Sequence, residues 1–505
     1  MRISLRVWLF LAWSIVTRCE ADQSLICDAE PIWTALQWPT CPREPSEKPL
    51  CEGEGCSSQR DQVWTHIGPC INTGDESDTP ICVFTDATFA GGRGISFVTT
   101  PERARYIATI PAFNQPDKLK NPNPPIPGTP EAAAATRLYD IREIPGKGMG
   151  LIASTFIPRS TLIMANTASI MTDYRAFNDL NEEEYTTLQA AAVAHLPSPH
   201  QSLILNLSAH DPNAAATLPR HQLVERIMAT NSFDIDPLSD DDPDQDNSFF
   251  TLFPDISRMN HDCRPNAEYL FLGARGGLVQ TIRAARDIYP GEELTVSYLD
   301  PLQIRARRMA RLKNNWGFDC DCAACTLTGK RAQESDRRVM AIQVLKAQLE
   351  EWSPSRARRS ERDDLAMAEL LVELYELERL WSMSYEAYAL AALAYNAAGS
   401  AWDAVRYARK AVEYGVPMAG EEDETMLDML KLSEDPWAHW SWKWREKGLK
   451  GEGKKEEKEE KKVEKNEGKG KKTQGKPARD GQGGPVGYEK LQEILRRNLE
   501  KYLGS

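Results

Sequence analysis

The stretch "RMNHDCRPN" (258–266) sets an amide, an imidazole, a carboxylate and a thiol side by side, Asn260 to Cys263, just before the strand-like run "AEYLFLG". A buried strand would not carry four consecutive polar groups, because each needs a partner once it leaves water. Such a row belongs at a ligand surface or a turn. Downstream, Cys320, Cys322 and Cys325 form "CDCAAC". Three thiols so close in sequence cannot all pair with one another, and a C-x-C pair is badly placed for an internal disulfide. A turn can instead point all three at one ion, and tetrahedral zinc takes four sulfurs. Cys263 is the cysteine left to supply the fourth, which puts zinc ahead of a disulfide here. Four thiolates around a divalent ion leave a double negative charge, so backbone N–H groups are expected to face the sulfurs.

The elements that must position these groups follow from the patterning. "RLYDIREIPGKGMGLIASTFIPRSTLIMA" (137–165) holds short apolar, β-branched runs broken at Pro145-Gly146 and Pro158-Arg159, which predicts strands joined by tight turns. Residues 178–230 read as mostly helical, "NEEEYTTLQAAAVAHL" most clearly, and the acidic loop "SDDDPDQD" (239–246) follows. Two strand-like runs lie within "EYLFLGARGGLVQTIRAARDI", and "ELTVSY" alternates as a strand ending in Tyr298.

Gly146-Lys147-Gly148, "NHDCRPN", "GEELTVSY" and "WGFDCDCAAC" stand in the order and rough spacing of a SET domain with its cysteine-rich post-SET tail. From about 137 to 326 the chain resembles that family. The resemblance implies an α+β protein, a SET-type β-fold with a post-SET zinc site over 136–330. It implies methyl transfer from S-adenosylmethionine to a protein lysine, histone or otherwise. It places Gly146, Lys147, Gly148 and Met149 along the methionine part of the cofactor. Asn260 and His261 would hold its adenine through backbone and amide groups, Phe318 would lay its ring over the adenine, and Trp316 would pack behind. Tyr298 would be catalytic, its phenol oxygen near the reacting carbon. Cys263 would leave the cofactor surface to join Cys320, Cys322 and Cys325 on Zn2+. A second Gly-x-Gly, in "GGRGISFVTT" (91–100), lacks the strand, turn and strand that follow 146–148. Within the class, the chain is similar to the SET- and MYND-type group and to fungal SET proteins. No cysteine and histidine set for a MYND finger lies between Gly150 and Asn260, so contacts belonging to that finger do not carry over.

The chemistry implied needs no covalent enzyme intermediate, only positioning and an amine stripped of its proton, since a free lysine has a pKa of about 10.4.

Other segments set the context. "MRISLRVWLFLAWSIVTRCEAD" has the charged start, apolar run and small-residue cut of a secretory signal over 1–21, too short to span a bilayer. It suggests the secretory pathway, against cytoplasm or nucleus for most SET sites. Residues 22–113 form a cysteine-rich, loop-dominated segment in which Cys27, Cys41, Cys51, Cys56, Cys70 and Cys82 form up to three disulfides, with pairing open and zinc as the rival. A proline-rich linker runs over 114–135. Residues 331–440 read as helices, Tyr395, Ala404 and Ala411 having tetratricopeptide-like spacing, and are expected to dock on the SET domain and wall a peptide groove. A plain helical bundle is the other reading. A charged low-complexity linker (446–485) leads to a helix pattern (486–505) suited to a partner or to docking in cis. The single N-x-S sequon is Asn206-Leu207-Ser208.

A net charge of −13 argues against a general nucleic-acid coat and no direct nucleic-acid binding is expected; Arg305, Arg307, Arg308, Arg311 and Lys313 read as a solvated helix face, with a local basic face as the other reading. Two rivals stand beside the enzyme: a catalytically silent SET-like zinc scaffold, and a secreted disulfide-rich binding protein governed by residues 22–82. Keeping Asn260, His261, Tyr298 and Phe318 together favours the enzyme.

Overall fold

The computed structural model describes residues 63–446, except 73–78, 115–120, 127–130, 132–136, 212, 238–247, 274–275, 354–355 and 357–358. The signal-like segment, Cys27 to Cys56, the acidic loop, the charged stretch past Glu446 and the C-terminal helix pattern lie outside these residues.

The strands in chain order are β1 (His66–Asn72), β2 (Pro80–Asp86), β3 (Ile95–Thr99), β4 (Tyr139–Ile144), β5 (Gly148–Ala153), β6 (Leu162–Thr167) and β7 (Ile170–Asp173). They continue with β8 (Phe233–Ile235), β9 (Phe249–Leu252), β10 (Asn260–His261), β11 (Ala267–Phe271), β12 (Val279–Ala284) and β13 (Glu293–Val296). Three sheets result, ordered β1-β2-β3-β7-β9-β8, β10-β13-β5-β4 and β11-β12-β6. The expected breaks are where the sequence puts them. At Pro145-Gly146 the β4–β5 hairpin turns through Gly146 and Gly148, both at positive φ (76° and 73°), a conformation side chains resist. Helix α1 (Glu182–Ala194) starts on a capping box, Asn181 Oδ1 accepting from Glu184 N–H while Glu184 accepts from Asn181 N–H.

The N-terminal reading needs correction. Residues 66–99 are not loop-dominated: they supply three strands to the first sheet, with β3 parallel to β7. "ICVF" and "ISFV" are continuous apolar runs of the kind that suit strands buried on both faces, and Ile81, Val83, Ile95 and Val98 are almost wholly buried. Of the six N-terminal cysteines, Cys70 and Cys82 form a disulfide between paired positions of β1 and β2. The proline-rich linker is also packed where described. Asn123 Oδ1 accepts from Thr167 N–H at 2.8 Å, and Pro124 and Pro125 carbonyls accept from Arg93 and Arg137.

Helix α2 (Arg220–Asn231) precedes β8, and after the last strand come α3 (Arg305–Trp316), α4 (Gly329–Glu350), α5 (Glu361–Leu377), α6 (Ser384–Ala397), α7 (Ala401–Ala419) and α8 (Glu424–Glu434). Successive helices from α4 onward are packing neighbours around their own apolar core, with Tyr395, Ala404 and Ala411 buried. That makes a helical C-terminal region, and such packing does not single out a tetratricopeptide repeat. The region is fastened to the sheets by a buried ion pair, Arg264 to Glu378 at 2.7 Å, with Arg338 and Ser335 also donating to Glu378. Burial raises the Glu378 pKa, and Arg264, Ser335 and Arg338 together more than offset it, holding the carboxylate below its usual range. Among the described residues no helix is long and apolar enough to cross a membrane.

Candidate functional site

The polar row of the opening motif is divided among distinct tasks. β10 is only Asn260 and His261, laid parallel beside Thr295 and Val296 of β13. Asn260 Nδ2 donates to Glu293 Oε1 at 2.9 Å, and Lys147 Nζ reaches the other Glu293 oxygen at 3.2 Å and Asp321 at 3.3 Å. Asn266, at the end of the motif, grips β13 from its side chain, accepting from Thr295 N–H and donating to Glu293 O. Arg264 turns to the helical region. Glu293 is thus a hub of the site that sequence reasoning passed over, although its place in "GEEL" opposite a lone lysine was available.

His261 is the hinge between two centres. Its Nδ1 accepts from the backbone N–H of Tyr298 at 3.0 Å, which puts the proton of the neutral ring on Nε2, and Nε2 lies 3.3 Å from Cys263 Sγ. Burial pushes the imidazole down to about 4, so it is neutral at physiological pH. Both ring nitrogens are committed inward. The Asn260 amide nitrogen is committed too, so what faces outward from this pair is the amide oxygen and backbone.

The four sulfurs of Cys263, Cys320, Cys322 and Cys325 converge within 4.8 Å of one another, all buried. Tetrahedral zinc with Zn–S of about 2.3 Å needs sulfurs roughly 3.8 Å apart, so the donor set fits in kind and spacing. The counter-charge comes from a side chain that the sequence reading assigned to a solvated face. Arg308 on α3 is 1% exposed and turned inward. Burial opposes its cation, yet the Cys263 and Cys325 sulfurs outweigh burial and raise its pKa. A helix with five basic residues out of nine has a solvated face by composition; only packing selects which residue is withdrawn from it.

A cavity of about 600 Å³ opens against this framework, bordered by Gly146–Met149, Asn260, His261, Tyr298 and Phe318. Every residue proposed for the cofactor therefore lies on its lining. Trp316, expected behind Phe318, is itself on the lining: its ring is 5.4 Å from that of Tyr298 and its indole N–H donates to Thr230 O at 3.2 Å. Other lining residues were missed, among them Asn206–Ser208, His210 and Arg258. Gly317, the left-handed cap of α3, is needed there because any side chain at this position would strike the His210 imidazole. The sequon residue Asn206 is exposed at this rim.

A second cavity, about 450 Å³, lies between Glu268 and Tyr269 of β11, the loop from Ser297, and the helical region at Ser382–Glu386. Tyr298 lines both cavities. Its hydroxyl donates to Met259 O at 2.7 Å, and burial pushes its pKa far above the ordinary phenol range.

Residues 148–299 match the SET domain. N-lysine methyltransferase SMYD2-B of Danio rerio is 29% identical over 191 residues, 36% of this chain and 41% of that protein. Histone-lysine N-methyltransferase SMYD3 of Homo sapiens is 42% identical over 81 residues, 16% and 18% of the two chains. Histone-lysine N-methyltransferase set5 of Schizosaccharomyces pombe is 29% identical over 204 residues, 40% and 55%. The chain spans less than two thirds of each of these relatives.

Proposed function

We propose that this chain, which carries a SET domain over residues 148–299, methylates a lysine side chain of a protein, using S-adenosylmethionine and a structural zinc ion. The observation that carries the reading is that Tyr298 lines two cavities, one bordered by all the cofactor candidates and the other between the SET fold and the helices. The first cavity fits the cofactor in size and chemistry. Its volume is within the usual range for such ligands, Trp316 and Phe318 offer flat faces, and Arg258 has a buried Nε without a hydrogen-bond partner that suits a carboxylate. When bound, S-adenosylmethionine supplies a methyl carbon whose bond to sulfur breaks as the amine's lone pair forms the new N–C bond.

The chain's own residues do the positioning. Tyr298 remains a phenol at neutral pH and its hydroxyl proton is engaged by Met259 O, so it is not the general base. Its oxygen lone pairs are left to orient the amine and favour nearby positive charge. The amine loses its proton to water before it enters the site. The zinc cluster holds "WGFDC", and with it Trp316 and Phe318, against β10 through Cys263.

The test is calorimetry of S-adenosylmethionine on zinc-loaded full-length protein, beside Asn260→Ala and Phe318→Ala. Micromolar binding lost in both variants supports the reading and leads to a substrate search controlled by Tyr298→Phe. A folded, zinc-bearing protein that gives no heat leaves only the scaffold.

A further inference from the structure

The path from Tyr298 does not end at the second cavity. Glu268 lines that cavity, and its carboxylate receives Tyr269 N–H at 3.2 Å and a Ser382 hydroxyl; among the described residues no lysine or arginine is paired with it. Burial raises its pKa, the response of a carboxylate lacking a cation. Tyr385 and Glu386 belong both to this cavity and to a larger groove of about 790 Å³ within the helical region. The groove has an apolar floor that includes Leu390, Leu393 and Met429, and a wall of Trp352 and Trp440 with rings 4.7 Å apart. Its carboxylates are Glu350, Glu386, Asp423, Glu424 and Asp428, against two lysines, Lys346 and Lys431. Lys346 is already paired with Glu386. A continuous acidic path with aromatic walls suits an extended, lysine-rich chain of small residues.

Such a chain exists in the same protein. "GKGKKTQGKPAR" (468–479) carries Lys469, Lys471, Lys472, Lys476 and Arg479 and no acidic residue. Trp444, two residues before the last described residue, sets its ring 5.1 Å from Trp352 on the groove wall, so the chain leaves the helical region beside the groove. Residue 468 follows Glu446 by 22 positions. A coil of that length has a root-mean-square span of about 25 Å, which keeps the segment at roughly millimolar effective concentration.

We propose that residues 468–479 occupy the acidic groove of their own chain, so that a basic protein substrate must displace them on its way to Tyr298. The last clause rests on the proposed function; the docking does not.

Carbodiimide coupling joins lysines to carboxylates in direct contact, and it is applied to full-length protein made as an equal mixture of 14N and 15N chains. The expected result is joins from Lys469–Lys476 to Glu350, Glu424 or Asp428 within one isotope. The exposed variant pair Glu350→Lys with Glu424→Lys removes two acceptors and adds positive charge to the groove, so the joins still chemically possible, those to Asp428, should fall at least tenfold, while the join between Lys313 and Asp319, 2.8 Å apart, is unchanged. Joins between isotopes point to a second copy and overturn the proposal, as do joins indifferent to the variant or none at all. A fluorescent synthetic peptide of residues 468–479 gives the second measurement. It should bind a full-length variant with Lys469, Lys471, Lys472 and Lys476 all changed to Gln at least tenfold more tightly than the natural chain; equal affinity overturns occupancy in cis. Neither measurement uses a methyl donor. Failure in the calorimetry with success here removes the enzyme and keeps the groove, and the reverse outcome does the opposite.

Discussion

The protein contains two kinds of cysteine site within one described body, and they differ in geometry rather than in composition. Cys70 and Cys82 sit opposite each other on neighbouring antiparallel strands and are bonded. Cys263, just past the two-residue strand β10, and Cys320, Cys322 and Cys325, after α3, are brought together unbonded with Arg308 behind them. A cross-strand pair has one partner within reach and little else to do. Four convergent sulfurs with a buried cation beside them have the make-up and spacing that a tetrahedral zinc ion takes. The first site closes a short loop on the sheet rim, and the second holds one wall of the candidate cofactor cavity.

The largest effect that would break this comparison is metal removal. Structural zinc contributes about 10–16 kcal/mol in small zinc-binding peptides. Chelation of zinc-loaded protein should release one ion and raise hydrogen exchange across 316–326 and 260–263, with β1–β3 unchanged. Protection that persists over 316–326 would mean that the sulfurs hold no structural ion.

Next in size is Tyr298→Phe. Loss of one well-placed polar group at a reacting centre costs about 10²–10³-fold in rate. Here it should lower turnover on a lysine peptide while leaving S-adenosylmethionine affinity within a few-fold, because the ring and the Tyr298 N–H bond to His261 remain. An unchanged rate would remove Tyr298 from the chemistry.

Cys70→Ala with Cys82→Ala sharpens the contrast from the other side. The bridge spans 12 positions, and a loop of that order contributes at most about 3 kcal/mol through the unfolded chain. Denaturant melts should show a loss of this size with zinc content and cofactor heat unaltered. Lost zinc would show that the two sites are not independent.

The smallest effect is acid sensitivity in the first sheet's surroundings. His200 is fully buried, its Nδ1 facing Arg93 O and its Nε2 at 2.8 Å from Ser169 Oγ, and burial takes its pKa down to about 3. The unfolded chain therefore binds the proton first. Stability is complete above about pH 6.5 and falls by about 1.4 kcal/mol per unit as pH drops from there toward 3. His200→Gln should flatten melts measured from pH 7 to pH 5; an unchanged slope would place the acid sensitivity elsewhere.

How much was legible in the chain follows from these residues. The β4–β5 hairpin, the capped α1 and the strands flanking "ARGG" were readable because local turn chemistry and periodicity specify them. The first sheet was not, since a high cysteine count near a signal-like segment outweighed two short apolar runs that are ambiguous alone. Glu293, Arg258 and His210 escaped for another reason. Each is an ordinary polar residue in sequence: Arg258 and His210 reach the cavity lining, and Glu293 reaches Asn260 and Lys147, only once the 3-10 turn before β10, the loop after Leu205 and β13 converge.

By itself the sequence determined the chemistry on offer: four sulfurs apt for one ion, an Asn-His pair, a tyrosine after a strand, and a basic segment past the helices. Those are properties of residue type and short spacing, which covalent order carries. Tertiary structure alone decided that His261 would join Tyr298 to Cys263, that Arg308 would leave its helix face for the sulfurs, and that Tyr298 would line two cavities. Each of these couples positions tens of residues apart, and such contacts are settled by which burial the whole chain can satisfy at once.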